Sequence, residues 1–270
     1  MPSPSYHPIQ GSVHAENGYL RLTPPDPISG IVQSFWQLNV PEGRFVYHSI
    51  PDNCVDWITR VDKPEDSVFI PSFLSANPFE VQGPVSYFGV RFHVLGYQAV
   101  VRDPLENWLA EPQGVLASEF ISSSGLPWFQ QAVFDSPDFY TRCSTIVQWF
   151  IRHANSINTD TRLDAFLNHS LLHLDNGLDM SERHCQKMGI SSRQLRRIVR
   201  QHLGVSPREF HQVLRFQNAL ALLNQYPDDK GWANYYYDQS HFIRDCQRFI
   251  GMPYQQFQNM SVLYNADDVK

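Results

Sequence analysis

191-SSRQLRRIVRQHLGVSPREF-210 is the stretch on which the reading of this chain turns. Its spacing predicts a helix between Ser191 and Gly204. Arg193, Arg196, Arg197 and Arg200 fall at i, i+3, i+4 and i+7, which is one face of a 3.6-residue turn. Leu195, Ile198, Val199 and Leu203 share the opposite face. No Asp or Glu occurs between Arg183 and Arg208. Like charges one turn apart repel and cost a few tenths of a kcal/mol, roughly, per pair. A charge run alone is more often a solvated face than a site. A row kept without counter-charges nevertheless points to a polyanion, and the segment reads as a helix packed on its own domain that offers arginines to DNA.

The flanks carry helix punctuation. Upstream, 181-SERHCQKMGIS reads as a short helix turning at Gly189, and Ser191 with Gln194 three residues on forms a capping-box pattern. Short helix, glycine turn and basic helix follow helix-turn-helix grammar. Downstream, Ser206, Pro207 and Glu209 make a strong start for a long helix through FHQVLRFQNALALLNQ. The grammar then repeats. Asp238 can cap a helix whose Phe242, Cys246, Phe249 and Ile250 face inward, with His241, Arg244 and Arg248 on another side and Gly251 ending it.

Further upstream, Leu163, Phe166, Leu167, Leu171 and Leu174 form the core stripe of a helix starting near Thr161, with Gly177 as its stop. The polar run 154-ANSINTDT reads as a linker. In 139-FYTRCSTIVQWFIRHA, the apolar positions Tyr140, Cys143, Ile146, Val147, Phe150 and Ile151 recur at three- and four-residue steps. Such a stripe must be buried on its own domain or on a second copy, so a homodimer is one of two readings.

The front of the chain reads differently. Segments 31-IVQSFWQLNV, 44-RFVYHSI, 54-CVDWITRV and 84-PVSYFGVRFHVLG mix aromatic and β-branched residues, separated by PEG, PDN and SANP punctuation. Short strands at this spacing favour a cupin-like β-barrel, which can hold a small molecule at its mouth. The expected fold class is α+β. Residues 1–156 form a sensor or oligomerisation domain, with the barrel to about 125 and helices over 127–156; residues 157–270 form an all-α domain with two helix-turn-helix units joined by a long helix.

Charge follows the same division. Residues 1–182 hold 9 Lys/Arg against 20 Asp/Glu, whereas residues 183–258 hold 11 against 5. An acidic front and a basic back indicate modules with different partners, and exclude a uniformly basic nucleic-acid coat. The 4 cysteines form no CxxC pair, the start lacks a secretory pattern, and no apolar run could span a bilayer, so reduced thiols and a cytoplasmic location without membrane contact are expected.

Few residues suggest chemistry. His169 and His173 sit at i, i+4, but no HExxH pattern forms, and His48, His93 and Cys54 lack a ligand-set spacing; neither a metal nor a cofactor is expected. Trp36, His48, Trp57 and His93 are weak candidates for contacting an effector, because aromatic residues in strands usually belong to the core. The rival classes are a cupin-like or Cys54-based DNA-repair enzyme with a DNA-targeting domain, and an interaction protein that has lost DNA binding. No catalytic set is assigned.

The motifs 191-SSRQLRRIVRQHLGVSPREF, 215-RFQNALALL and 238-DQSHFIRDCQRFIG together resemble the DNA-binding domain of AraC/XylS-type transcription regulators over about the last 100 residues. IPDNCVDW near Cys54 and GVRFHVLG near Arg91 resemble the N-terminal domain of one branch of that family. The resemblance implies two recognition helices entering adjacent major-groove segments about 34 Å apart. By position, the base readers would be Arg193, Arg196 and Arg197 in the first unit and Gln239, Ser240 and Arg244 in the second. Arg can bind guanine bidentately, and Gln can do the same for adenine. Arg200, Arg208 and Arg248 fall to phosphate contacts, which fix register.

Promoter DNA is the implied partner, with room for RNA polymerase and a small-molecule effector. The chain departs from the family at Tyr235-Tyr236 (Gly-Phe is usual), Lys230-Gly231 (Ile-Ala), Cys246 (Phe), Val199 (Phe) and His184-Cys185 (Leu-Ala). The departures concentrate in the second unit, so the first is expected to carry most base specificity.

Overall fold

A computed structural model describes residues 6, 8–13, 18–108, 114–121, 125–174, 181–226 and 231–265. Its first half is a twisted antiparallel sheet built on two long strands, β2 (Val32–Ser49) and β5 (Asn77–Phe92). Around them lie β1 (Tyr19–Leu22), β3 (Asp56–Arg60), β4 (Ser67–Ile70) and β6 (Val115–Leu116), in the order β1-β2-β5-β3-β4-β6. Two of the expected strands are one: 31-IVQSFWQLNV and 44-RFVYHSI join in β2. The PEG stretch is a register shift between Val40 and Gly43, not a hairpin turn. A bulge absorbs turn-type residues without ending a strand, which local punctuation cannot reveal.

The expected barrel is not what the strands form. Among the described residues the pairing path is open, running from β1 to β6. Alternating apolar residues require cover on a sheet face, but closure is only one way to provide it. Here α1 (Leu126–Asp135) and α2 (Phe139–His153) cover one face. Phe35, Trp57, Phe69 and Phe88 from the strands meet Phe129 and Trp149 from these helices in a single core. The Trp57 ring stacks on Phe129 with centroids 3.6 Å apart. In α2 the buried stripe is Phe139, Cys143, Ile146, Val147, Trp149 and Phe150, while Tyr140 and Ile151 lie outside. The helix therefore spends its apolar side on its own sheet.

The linker over 154–160 has no regular structure and leads to α3 (Thr161–Leu172). Gly177, the expected stop after it, lies outside the described residues. Then come α4 (Glu182–Lys187), α5 (Ser192–Leu203), α6 (Pro207–Gln225), α7 (Gln239–Phe249) and α8 (Tyr254–Asn259). One core joins α3, α5 and α6, and a second joins α6, α7 and α8.

Both cores take residues from the first half. Val94 and Leu95 enter the first, and Ile50 enters the second. A last strand, β7 (Leu263–Asn265), returns from α8 and pairs antiparallel with β2, Phe45 opposite Asn265 and Tyr47 opposite Leu263. No helix among the described residues is long and apolar enough to cross a membrane.

Candidate nucleic-acid interface

The arginine-bearing segment is α5, and both of its ends are fixed. The Ser191 hydroxyl accepts the Gln194 backbone N–H at 3.2 Å, and the Gln194 side chain accepts the Ser191 N–H in return. Glu182, on α4, accepts the Ser192 N–H at 3.0 Å. Removing one such cap costs about 1 kcal/mol. At the other end Gly204 takes a left-handed conformation with φ +71°, and its N–H reaches the Arg200 carbonyl. The turn between α4 and α5 uses Gly189 at φ +70°, where a Cβ would be strained.

Leu195, Ile198, Val199 and Leu203 are all buried. Burying each contributes about 1.5–3 kcal/mol, which anchors the helix by one side. The other side faces solvent: Arg193, Arg196, Arg197 and Arg200 are exposed, as is Arg208 in the first turn of α6. None of these five forms an ion pair among the described residues.

Space nevertheless supplies acids that the sequence window omitted. Glu182 sits at the N-terminus of α5, and Glu209 lies within Coulombic reach of Arg200 and Arg248. Burial tends to raise the Glu209 carboxyl, but hydrogen bonds at Ser206 and those two guanidiniums outweigh it and hold the group below its ordinary value. Arg200 also differs from its neighbours in lining a cavity of about 370 Å³, together with Trp108, Ser72, Leu74, Val205 and Glu209.

The second unit is built differently. Asp238 caps α7 by accepting the His241 N–H at 2.7 Å. Gln239, Ser240 and Arg244 are exposed on its first turns. Arg248 is exposed too, with one nitrogen 3.0 Å from the Gln212 side chain and its guanidinium 4.9 Å over the Phe249 ring. Phe242, Cys246, Phe249 and Ile250 are buried, and Gly251 follows with φ +82°. Where a first helix was expected, the described residues hold one 3-10 turn, Gly231–Asn234. Lys230 lies outside the described residues.

The C-terminal end of α5 is docked on the first half. Tyr97 donates to the His202 carbonyl at 2.9 Å, the Gln98 amide lies 3.1 Å from His202 Nδ1, and Ser72 donates to the Leu203 carbonyl at 3.1 Å. Residues from the distant sequence thus help to aim this helix. No local signal marks Tyr97 and Ser72, because backbone carbonyls accept them.

The four weak effector candidates are not brought together. Trp36 stacks on Tyr19, lies over Gly89 and donates to Asp56. Trp57 is fully buried between the sheet and α1, on the opposite face. His48 is bonded to the Ile250 carbonyl at 2.6 Å, and His93 to the Ser29 carbonyl at 3.0 Å. Each has a packing role.

All four cysteines are buried. Burial, with Asp52 adding to it, pushes the Cys54 thiol well up, the reverse of what an activated nucleophile needs. The rings of His173 and His184 lie 4.5 and 4.3 Å from that of His169. Among the described residues no group of three or more His, Cys, Asp or Glu side chains is arranged to hold a metal ion.

Residues 184–260 match the family model described as a helix-turn-helix domain, and residues 20–111 match a domain of unknown function, DUF6597. The back of the chain is therefore a helix-turn-helix domain, a class of DNA-binding module. The motifs quoted above resemble those of the AraC type. Comparison with curated proteins returns no match.

Among solved structures, the chain is similar to a 1.65 Å structure of ToxT from Vibrio cholerae, with 9% identity, 89% of this chain and 98% of that one covered, and a TM-score of 0.44. A second ToxT structure, from Vibrio cholerae O395, gives 10% identity over 91% of this chain and 99% of that one, with a TM-score of 0.42. Nothing about function follows from a likeness of that size.

Proposed function

We propose that this chain is a sequence-specific DNA-binding transcription regulator of the AraC type and not an enzyme. One observation carries the reading. A helix capped at both ends, and anchored on one side, turns to solvent a row of arginines that have no ion-pair partner among the described residues, inside a helix-turn-helix domain. Residues 157–270 are the DNA-binding part, and residues 1–156 sense a small molecule or mediate self-association. The apolar side of α2 is used on its own sheet, so it lends no support to a homodimer.

In this reading Arg193, Arg196 and Arg197 read bases in one major-groove segment, and Gln239, Ser240 and Arg244 read the next. Arg200, Arg208 and Arg248 hold phosphates. The partner is double-stranded promoter DNA, with RNA polymerase as a further contact during activation, in the cytoplasm. The burial of Cys54 weighs against the cysteine-based rival.

The test is selection of duplexes from a random pool by the purified chain, followed by footprinting. A selected site with two protected segments one helical turn apart is expected, with affinity that falls steeply as salt rises. Failure to enrich any sequence in dilute buffer would overturn the proposal.

A further inference from the structure

Among the described residues the second unit shows no counterpart to the brace of the first. In the first, a Ser181-capped helix stands before α5 and supplies Glu182 to its N-terminus. Before α7 the described residues hold the 3-10 turn Gly231–Asn234, followed by Tyr235, Tyr236 and Tyr237. A different device meets α7 from the side. Asp245, buried on the inner face of α7, pairs with Arg215 of α6 at 3.0 Å. The hydroxyl of Tyr236, in the turn, donates to the same carboxylate oxygen at 2.9 Å. The Arg215 guanidinium lies 4.5 Å over the Tyr236 ring, and its Nη2 is 3.3 Å from His241 Nε2.

From these contacts we infer that Arg215, Tyr236 and Asp245 form a positioning clamp that sets the rotation of α7, and so aims Gln239, Ser240 and Arg244. The inference rests on the DNA-binding reading given above. One carboxylate ties together the long helix, the turn and the outward-facing helix. A buried ion pair is a poor source of net stability, because desolvation offsets its attraction, and apolar residues of similar volume commonly do as well. Directional bonds differ from apolar contacts in that they fix one rotation. One observation fits this role: the Arg215 Nε is buried with no hydrogen-bond partner among the described residues, a cost accepted in a network kept for its geometry.

The experiment uses the full chain on its selected duplex, with hydroxyl-radical footprinting of both segments and a melting curve for each variant. Tyr236→Phe removes one hydroxyl, and Asp245→Asn removes the charge. Each is expected to keep the fold and the first protected segment while weakening protection of the second about tenfold. Should Asp245→Asn fail to fold, Tyr236→Phe answers the same question.

The pair Arg215→Met with Asp245→Leu separates aim from mere packing. It is expected to fold at least as well as the parent, yet leave the second segment unprotected. Equal loss across both segments, no loss in Tyr236→Phe, or full protection in the apolar pair would each overturn the clamp. A parent chain that protects no duplex would instead overturn the DNA-binding reading itself, and that result is visible before any variant is made.

Discussion

Arg197 and Arg200 lie one turn apart on α5, and their surroundings assign them different work. Arg197 is exposed and has no ion-pair partner among the described residues, while Arg200 stands beside Glu209 in the cavity that also holds Trp108. Arg197→Ala should cost about 1–3 kcal/mol of binding and relax preference at one base position, read by competition among single-base variants of the selected duplex. Equal weakening on every sequence would demote it to a phosphate contact. Arg200→Ala should weaken all sequences alike and lower the slope of log affinity against log salt by about one; an unchanged slope would remove it from the phosphate set. The outward direction of these side chains was legible in the sequence because helical spacing alone separates the two faces. Arg142 was not legible. It stands among the apolar positions of α2 and is buried, donating to the Val133 and Ser136 carbonyls and to Gln37. Two of those acceptors are backbone groups, which leave no trace in residue identity.

Helix boundaries follow caps closely, since a cap is a local bond. Ser191, Ser206 and Asp238 stand where the sequence placed them and each accepts the expected N–H. Strand ends were harder to place, because Gly43 and its neighbours bulge where they could have turned. The docking of α5 makes a prediction about acidity. Burial depresses His202 below its ordinary value of about 6.5, with Asp160 and Glu106 pulling weakly the other way. His211 on α6 is depressed chiefly by burial too. For both, the unfolded chain binds protons more readily than the folded one. Stability should be undiminished above about pH 6.5 and should decline as pH falls from there towards the lower folded values. Melting temperatures at pH 7.5 and 5.5 would show this, and His202→Asn, which keeps an acceptor near Gln98, should lose part of the acid sensitivity. An acid decline of the same size in the variant would rule His202 out.

At the scale of the whole molecule, composition divides the chain by charge but says nothing of how its parts interlock. Charge separates an acidic front from a basic back, yet Ile50, Val94 and Leu95 of the front sit in the cores of the back. Whether a patterned sheet closes on itself or is covered by helices depends on contacts far apart in sequence, which alternation does not encode. The tie through β7 is similarly non-local. Leu263 is buried on the sheet, so Leu263→Asp should detach the strand, lower the melting temperature and open the segment after α8 to proteolysis. Unaltered melting and cleavage would mean that this pairing contributes nothing to holding the halves together.

That pairing also imposes an order on biosynthesis. Phe45 is made long before its partner Asn265. At about 5–20 residues per second, a ribosome needs roughly ten to forty seconds to cover the distance between them. Throughout that interval the Phe45–Tyr47 edge of β2 waits open, inviting a neighbouring nascent chain to settle there instead. Slow translation or crowded polysomes should therefore penalise this protein more than one whose halves are completed in turn.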